Sequence, residues 1–327
     1  MTENDTKRMK KLLLLILVSV VLLNNACQKE PEPLKLNSAI EAYLNELMVI
    51  MQTYSVNKRN IDWAVFRKTV LETAKGAKDV NDIKTSEAIY VALTQLKDNH
   101  SFFINAKGAY TFGANNPTCA GSIPVTPAAD KEIGYVKVGA FSGTQQQADD
   151  FAQAIQNAIK AADSESLKGW IVDLRGNRGG NMWPMMGGIG PILGEGVAGY
   201  FIDPLNNIIE WGYKNGNTLG FQMSNPYILK KPNPRVAVFI DEGTASSGEA
   251  IAVAFKARPE TKFFGMATCG LSTANQSYNM SDGAVLFLTV STMVDRTKKI
   301  YGKKIEPDVT DVDQQRYIQE AFTWLKQ

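Results

Sequence analysis

The sequence predicts an α/β protein in which helices pack on a sheet, preceded by a small all-helical segment. Three observations carry this. Hydrophobic residues make up 44% of the 327, which is enough for a sizeable core. Positions 37–101 repeat apolar residues at helical spacing. From about residue 133 short apolar runs alternate with amphipathic stretches, the pattern of helices laid on a sheet.

The helical segment reads as three helices. In the first, Ile40, Leu44, Leu47, Met48 and Met51 share a face, and Ser38 with Glu41 forms a capping-box pair at its start. Asp62 is placed to cap a second helix with Trp63, Phe66 and Val70 on its apolar side, and Gly76 offers it a stop. A third begins near Thr85 and carries Ile89, Leu93 and Leu96 towards Asp98-Asn99-His100-Ser101. Strand follows at 133–141, helix at Gln145–Ala162, a buried strand at 169–174 and helix at Met182–Leu193. Asn206-Asn207 punctuates a hairpin between 199–204 and Ile208–Tyr213. Strand 236–240 leads into a helix at 246–257, strands are expected at 262–266 and 284–292, and 313–326 reads as a closing helix. No repeat or low-complexity segment interrupts this order.

Charge narrows the partners. The formal net charge of +2 resides in residues 1–26, where Lys7, Arg8, Lys10 and Lys11 face only Glu3 and Asp5; the remainder holds 31 basic and 31 acidic side chains. A neutral chain gives no electrostatic reason for a nucleic-acid partner, and none is expected. The basic start runs into apolar residues 12–23, the length of a signal-peptide core and short of the roughly 20 residues that span a bilayer. Leu23-Asn24-Asn25-Ala26-Cys27 then resembles a bacterial lipoprotein processing site, with Cys27 as the lipidated residue, although Asn24 and Asn25 depart from the small or apolar residues usual there. The expectation is an exported protein, lipid-anchored to a bacterial cell-envelope membrane, with 1–26 as signal peptide and 27–36 as tether. Export would permit a disulfide between Cys119 and Cys269, but Cα separation decides such a pair. The two are read as unpaired small core residues. One histidine and scattered cysteines make no zinc set, so neither metal nor cofactor is expected.

Three segments carry chemistry. His100 is the chain's one histidine and ends a helix beside polar residues; taken alone, such a histidine is more often structural than catalytic. Asp173-Leu174-Arg175-Gly176-Asn177-Arg178-Gly179-Gly180-Asn181 takes a buried strand through a glycine-rich turn, whose N–H groups can point at an anion. The plain reading is a strand-to-helix turn in which glycine supplies positive φ. The spacings of the phosphate-binding and dinucleotide-binding loops are absent. Thr244-Ala245-Ser246-Ser247-Gly248-Glu249 sets a serine at a helix start, where the dipole favours negative charge on oxygen. Taken alone, Ser246-x-x-Glu249 is a capping box.

Taken together, in this order and with these surroundings, the three segments resemble the C-terminal processing (tail-specific) serine protease family. Gly265-x-x-Thr268-x-Gly270, Ser281-Asp282-Gly283-Ala284, Asp295-Arg296 and Ile305-Glu306-Pro307-Asp308 extend the resemblance across about residues 85–310. It implies a ClpP/crotonase-like ββα-spiral core over 102–327, preceded by a small N-terminal helical domain at 37–101. Position by position it makes Ser246 the nucleophile, with N–H groups of Ser247 and of Gly179 or Gly180 as the oxyanion hole. Many members insert a PDZ domain after the helices, and here only about 30 residues separate Ser101 from Ile133, too few for one. Those members also use a lysine base, and its matching position holds Leu271. The chain therefore looks like the tricorn-type or retinoid-binding-protein-like branch without PDZ, in which a histidine takes the base's part. An imidazole with an ordinary pKa near 6.5 suits that work. Asn99 or Ser101 would orient it, and Asp295 or Glu306 would supply a carboxylate.

The function implied is a serine endopeptidase that cleaves exposed or unfolded polypeptide outside the cytoplasm. Two other readings use the same residues. One is an inactive member that holds an apolar ligand or peptide in a cleft lined by Trp183, Met185 and Met186. The other is an acyl hydrolase for small esters.

Overall fold

A computed structural model describes residues 34–327; the leader and Cys27 lie outside the described residues. The N-terminal helices are α1 (Ser38–Tyr54), α2 (Trp63–Thr73) and α3 (Ile83–Gln95). Asn37, not Ser38, caps α1: its side chain accepts from the Ala39 N–H at 2.9 Å, which puts Ser38 inside the first turn. Asp62 caps α2 by accepting from the N–H groups of Ala64 and Val65. The apolar faces of all three pack with Phe103, Leu286 and Leu288, which belong to strands, so the helices roof a sheet.

That sheet is antiparallel. It contains β1 (Phe102–Ile104) and β2 (Tyr110–Phe112), and further along the chain β5 (Gly196–Ile202), β6 (Ile208–Tyr213), β11 (Thr273–Asn279) and β12 (Val285–Asp295). Its path runs β2-β1-β12-β5-β6, with β11 added along β12. The second sheet is wholly parallel, with β3 (Ile133–Lys137), β4 (Gly169–Asp173), β9 (Arg235–Ile240), β10 (Thr261–Gly265) and β13 (Val309–Thr310) in the order β13-β10-β9-β4-β3. A short hairpin of β7 (Asn217–Thr218) and β8 (Phe221–Gln222) stands apart. Four helices complete the core: α4 (Gln145–Ala162), α5 (Met182–Leu193), α6 (Ser247–Phe255) and α7 (Gln314–Leu325).

The parallel sheet is covered on both faces, as such sheets must be. On one side Ile171, Phe239 and Phe264 meet Tyr317, Ile318 and Leu325 of α7. On the other, Trp170, Val172 and Val238 meet Met185, Ile189, Ile251 and Phe255 of α5 and α6. The same cluster continues to Ala198, Trp211 and Met293 of the antiparallel sheet. Thus α5 and α6 are filling between two sheets, which is why they are buried on nearly every side rather than on one stripe. The α/β class expected from the alternation is the architecture observed.

Strand β3 stops at Lys137, short of the expected 141. Beyond it the chain bends to the glycine turn, with the Phe141 N–H donating to Gly179 O and the Asn181 N–H to Phe141 O. The pair Cys119 and Cys269, expected to be free, forms a disulfide across a Cα separation of 5.3 Å. The irregular stretch 113–129 carries Cys119 back over the core. It is tied at one end by Asn116 donating to Ser101 O and at the other by Val125 O accepting from Arg175. This crosslink closes a loop of 150 residues. Replacing both cysteines by serine is therefore expected to lower unfolding free energy by roughly 2–5 kcal/mol, measured by urea denaturation.

Candidate active site

The serine turn is built from β9 outwards. Asp241 follows the strand directly, and its Oδ1 accepts from the N–H groups of Gly176 and Gly243 at 2.9 and 3.0 Å. Thr244 donates its hydroxyl to Leu174 O, and the Ala245 N–H donates to Asn177 O. The serine turn and the glycine turn are thereby laced together before Ser246 is reached. Ser246 itself has φ 53° and ψ −118°, and its N–H donates to Glu249 Oε2 at 3.0 Å. A non-glycine residue held there carries about 1–3 kcal/mol of strain, and Ser246 lines the cleft.

The glycine turn is anchored behind by Arg175, which pairs with Asp173 at 2.6 Å and is itself 1% exposed. Its guanidinium also donates to Tyr317, Gln314 and Val125 O. The two glycines are required by contact as well as by their positive φ. A Cβ on Gly179 would stand 2.8 Å from Ser246 Cβ, and one on Gly180 would stand 1.9 Å from Phe141 O. Gly179 donates its N–H to Asn177 Oδ1 at 3.0 Å, so that donor is committed. The N–H groups of Gly180 and Ser247 have no hydrogen-bond partner among the described residues. Ser247 Oγ donates to Gly180 O, which pins the two free donors side by side.

His100 comes from the other sheet. Asp98 forms the turn: its Oδ1 accepts from the N–H groups of His100 and Ser101 at 2.9 and 2.7 Å. Asn275 donates to His100 O at 2.9 Å from the far side. The imidazole is 7% exposed, and its Nδ1 lies 2.8 Å from Oγ1 of Thr273, which is equally buried. Burial pushes the imidazole pKa down to about 4, so the ring is neutral at pH 7. Of the side chains expected around it, none touches the ring. Asn99 donates to Gly270 O, and Ser101 Oγ donates to Asp98 Oδ2. Asp295 closes its own turn with Thr297 and Lys299 and accepts from the Tyr301 hydroxyl. The backbone of Glu306 accepts from Lys256.

One residue of consequence is seen in the sequence only as half of a cap. Glu249 is fully buried, and its carboxylate accepts four hydrogen bonds. Oε2 takes the N–H groups of Ser246 and Leu271 at 3.0 and 2.7 Å; Oε1 takes the Gly270 N–H at 3.0 Å and the Thr268 hydroxyl. Glu249 thus ties the serine turn to the 268–271 segment that also carries Cys269. Burial pushes its pKa up to about 7, against the four donors that pull it down. The two shifted groups act oppositely on stability. The contribution of Glu249 is present below its unfolded pKa of 4.5 and is lost as pH rises through about 7. That of His100 is present above 6.5 and is lost as pH falls through about 4.

A cavity of about 1230 Å³ joins these parts: His100, Thr273, Gly180, Ser246, Ser247 and Leu271 all line it. Its walls are apolar and aromatic. Phe102 stacks on Phe287 with ring centres 4.6 Å apart and abuts Tyr110 and Phe112, and Trp183 and Phe201 face them from elsewhere in the lining. Met185 and Met186, expected beside Trp183, are fully buried in the core instead. Arg178 is the one fully charged side chain in the lining.

The family model of Peptidase family S41 matches residues 132–311. The chain is 29% identical over 272 residues to a nisin-resistance protein of Lactococcus lactis subsp. lactis, covering 81% of this chain and 80% of that one. It is 29% identical over 181 residues to the carboxy-terminal processing protease CtpA of Bacillus subtilis (strain 168). That match takes in 55% of this chain and only 35% of the Bacillus protein. A solved lipoprotein from Streptococcus agalactiae shares the fold with a TM-score of 0.71 at 22% identity, over 92% of this chain and 99% of that one.

Glu249→Gln gives a direct check on the serine turn. The amide nitrogen must replace one acceptor oxygen that faces N–H donors, so at least one bond is lost and a donor is left buried. Stability is expected to fall by about 1–3 kcal/mol in urea denaturation, with hydrolytic activity reduced in the folded protein.

Proposed function

The chain belongs to peptidase family S41 and is a serine-type peptidase, and from that premise we propose that Ser246 and His100 cleave polypeptide outside the cytoplasm. The observation that carries this is the shared cavity, into which one sheet delivers a strained serine and the other a buried neutral imidazole. His100 takes the Ser246 proton as Oγ attacks the peptide carbonyl. The new oxyanion is held by the N–H groups of Ser247 and Gly180, each worth about 3–4 kcal/mol in comparable sites. His100 then gives its proton to the leaving amine, and water resolves the acyl-enzyme. Of the two glycines first considered, Gly180 is preferred because Gly179 spends its N–H on Asn177.

The cell envelope is the proposed place of action. The disulfide supports an oxidising compartment, and the signal-like leader with Cys27 supports a lipid anchor. The nisin-resistance relative matches along most of both chains, so nisin is the first natural substrate to try beside unfolded protein. The apolar-ligand reading is not favoured: two of its three residues lie in the core, away from the cleft.

A fluorophosphonate probe is expected to label wild type and to leave Ser246→Ala and His100→Ala unlabelled. Absence of labelling in folded wild type would sink the catalytic reading. The pH dependence of kcat/KM gives a second check. A base must be unprotonated, so the acid limb is expected near the lowered His100 value of about 4 and not near 6.5.

A further inference from the structure

We propose that Thr273 positions the imidazole of His100, so that a neutral hydroxyl stands where other serine hydrolases use a carboxylate. The proposal rests on the Ser246–His100 reading above. A neutral imidazole has one N–H. If Nδ1 donates it to Thr273 Oγ1, 2.8 Å away, then Nε2 keeps a free lone pair for the serine proton. The reverse arrangement, with Thr273 donating, would leave Nε2 protonated and useless as a base.

The first arrangement is the one that general-base work by His100 requires. No carboxylate hydrogen-bonds to the ring among the described residues; Asp241 holds Gly176 and Gly243 through Oδ1, and its Oδ2 is buried without a partner. Asp98 serves the backbone of His100 and the N–H and hydroxyl of Ser101; Glu249 serves four donors behind Ser246; Asp295 serves its own turn and Tyr301. Arg178 is the charged group on the cavity wall. Thr273 and Asn275 flank Ala274 on β11, where the pairing with β12 shifts register, and both line the cavity. Asn275 holds the backbone carbonyl of His100 while Thr273 meets its ring. Both β11 and β1, which follows His100 directly, hydrogen-bond to β12. Base and positioner are therefore fixed to one central strand, the rigid support that such a pair needs.

The consequence is chemical. A hydroxyl orients the ring without offering negative charge to the imidazolium formed in the transition state. The test is the rate of inactivation by a fluorophosphonate, resolved into kinact and KI across pH, on the full chain. Thr273→Val is close in shape, and it is expected to lower kinact on the order of 10–100-fold with KI little changed. Thr273→Ser, which keeps the hydroxyl, restores most of the rate. Thr273→Asp puts a charge beside Nδ1 and moves the acid limb upward, towards or past 6.5. Circular dichroism checks the fold of each variant. A folded Thr273→Val with wild-type kinact and pH profile, alongside an inert His100→Ala, overturns the positioning role and leaves the pair standing. If Thr273→Val does not fold, an unmoved limb in Thr273→Asp overturns it equally. Full reactivity in Ser246→Ala or His100→Ala would remove the underlying reading and this proposal with it.

Discussion

The carboxylate of Glu249 is the constraint on which the site depends. It lies fully buried, where an unpaired charge would cost several kcal/mol, and four donors converge on it. The donors come from three places. The Ser246 N–H fixes the strained turn, while those of Gly270 and Leu271 fix the opposite wall of the cleft. Thr268 relays the contact to Ile305, whose N–H donates to its hydroxyl. Cys269 lies within the same short segment, so the disulfide extends this hold to the 113–129 stretch. One side chain thus sets the nucleophile and the wall across from it in a single arrangement.

A second constraint is that the cleft sits where two unlike sheets meet. The parallel sheet supplies the serine and glycine turns from the ends of β9 and β4, as open parallel sheets do for many ligands. The antiparallel sheet supplies His100, Thr273 and the aromatic wall. The helices between them are buried on nearly every side and pack against both sheets. Because the base is held in a dry position, it stays neutral without a carboxylate partner.

Much of this was legible in the sequence, for physical reasons that differ by element. Helices α4 and α5 match their expected bounds because caps at Thr144 and Asn181 coincide with the start of apolar periodicity. Buried β4 is a plain apolar run. Strand β11 is polar and exposed along much of its length, so no alternation marks it, and with it Thr273 went unread. Strands β1 and β2 are three residues each, too short for a period to show. Cys119 and Cys269 stand 150 residues apart, and only the return of the 113–129 stretch brings them together. Ser246 and Glu249 look like a capping box, and the Ser246 N–H does donate to Glu249, but the left-handed backbone of Ser246 has no local sequence signal. Glu249's other three bonds come from residues 19 to 22 positions on, beyond any local motif.

The chain has a single histidine, so the imidazole signals of ¹⁵N-labelled protein belong to one residue without assignment. Their titration, followed by NMR, tests whether Ser246 faces a neutral base with Nε2 free. The expected result is one imidazole protonated at Nδ1 through neutral pH, titrating near the lowered value of about 4. A ring protonated at Nε2, or one that titrates near the ordinary 6.5, would contradict it.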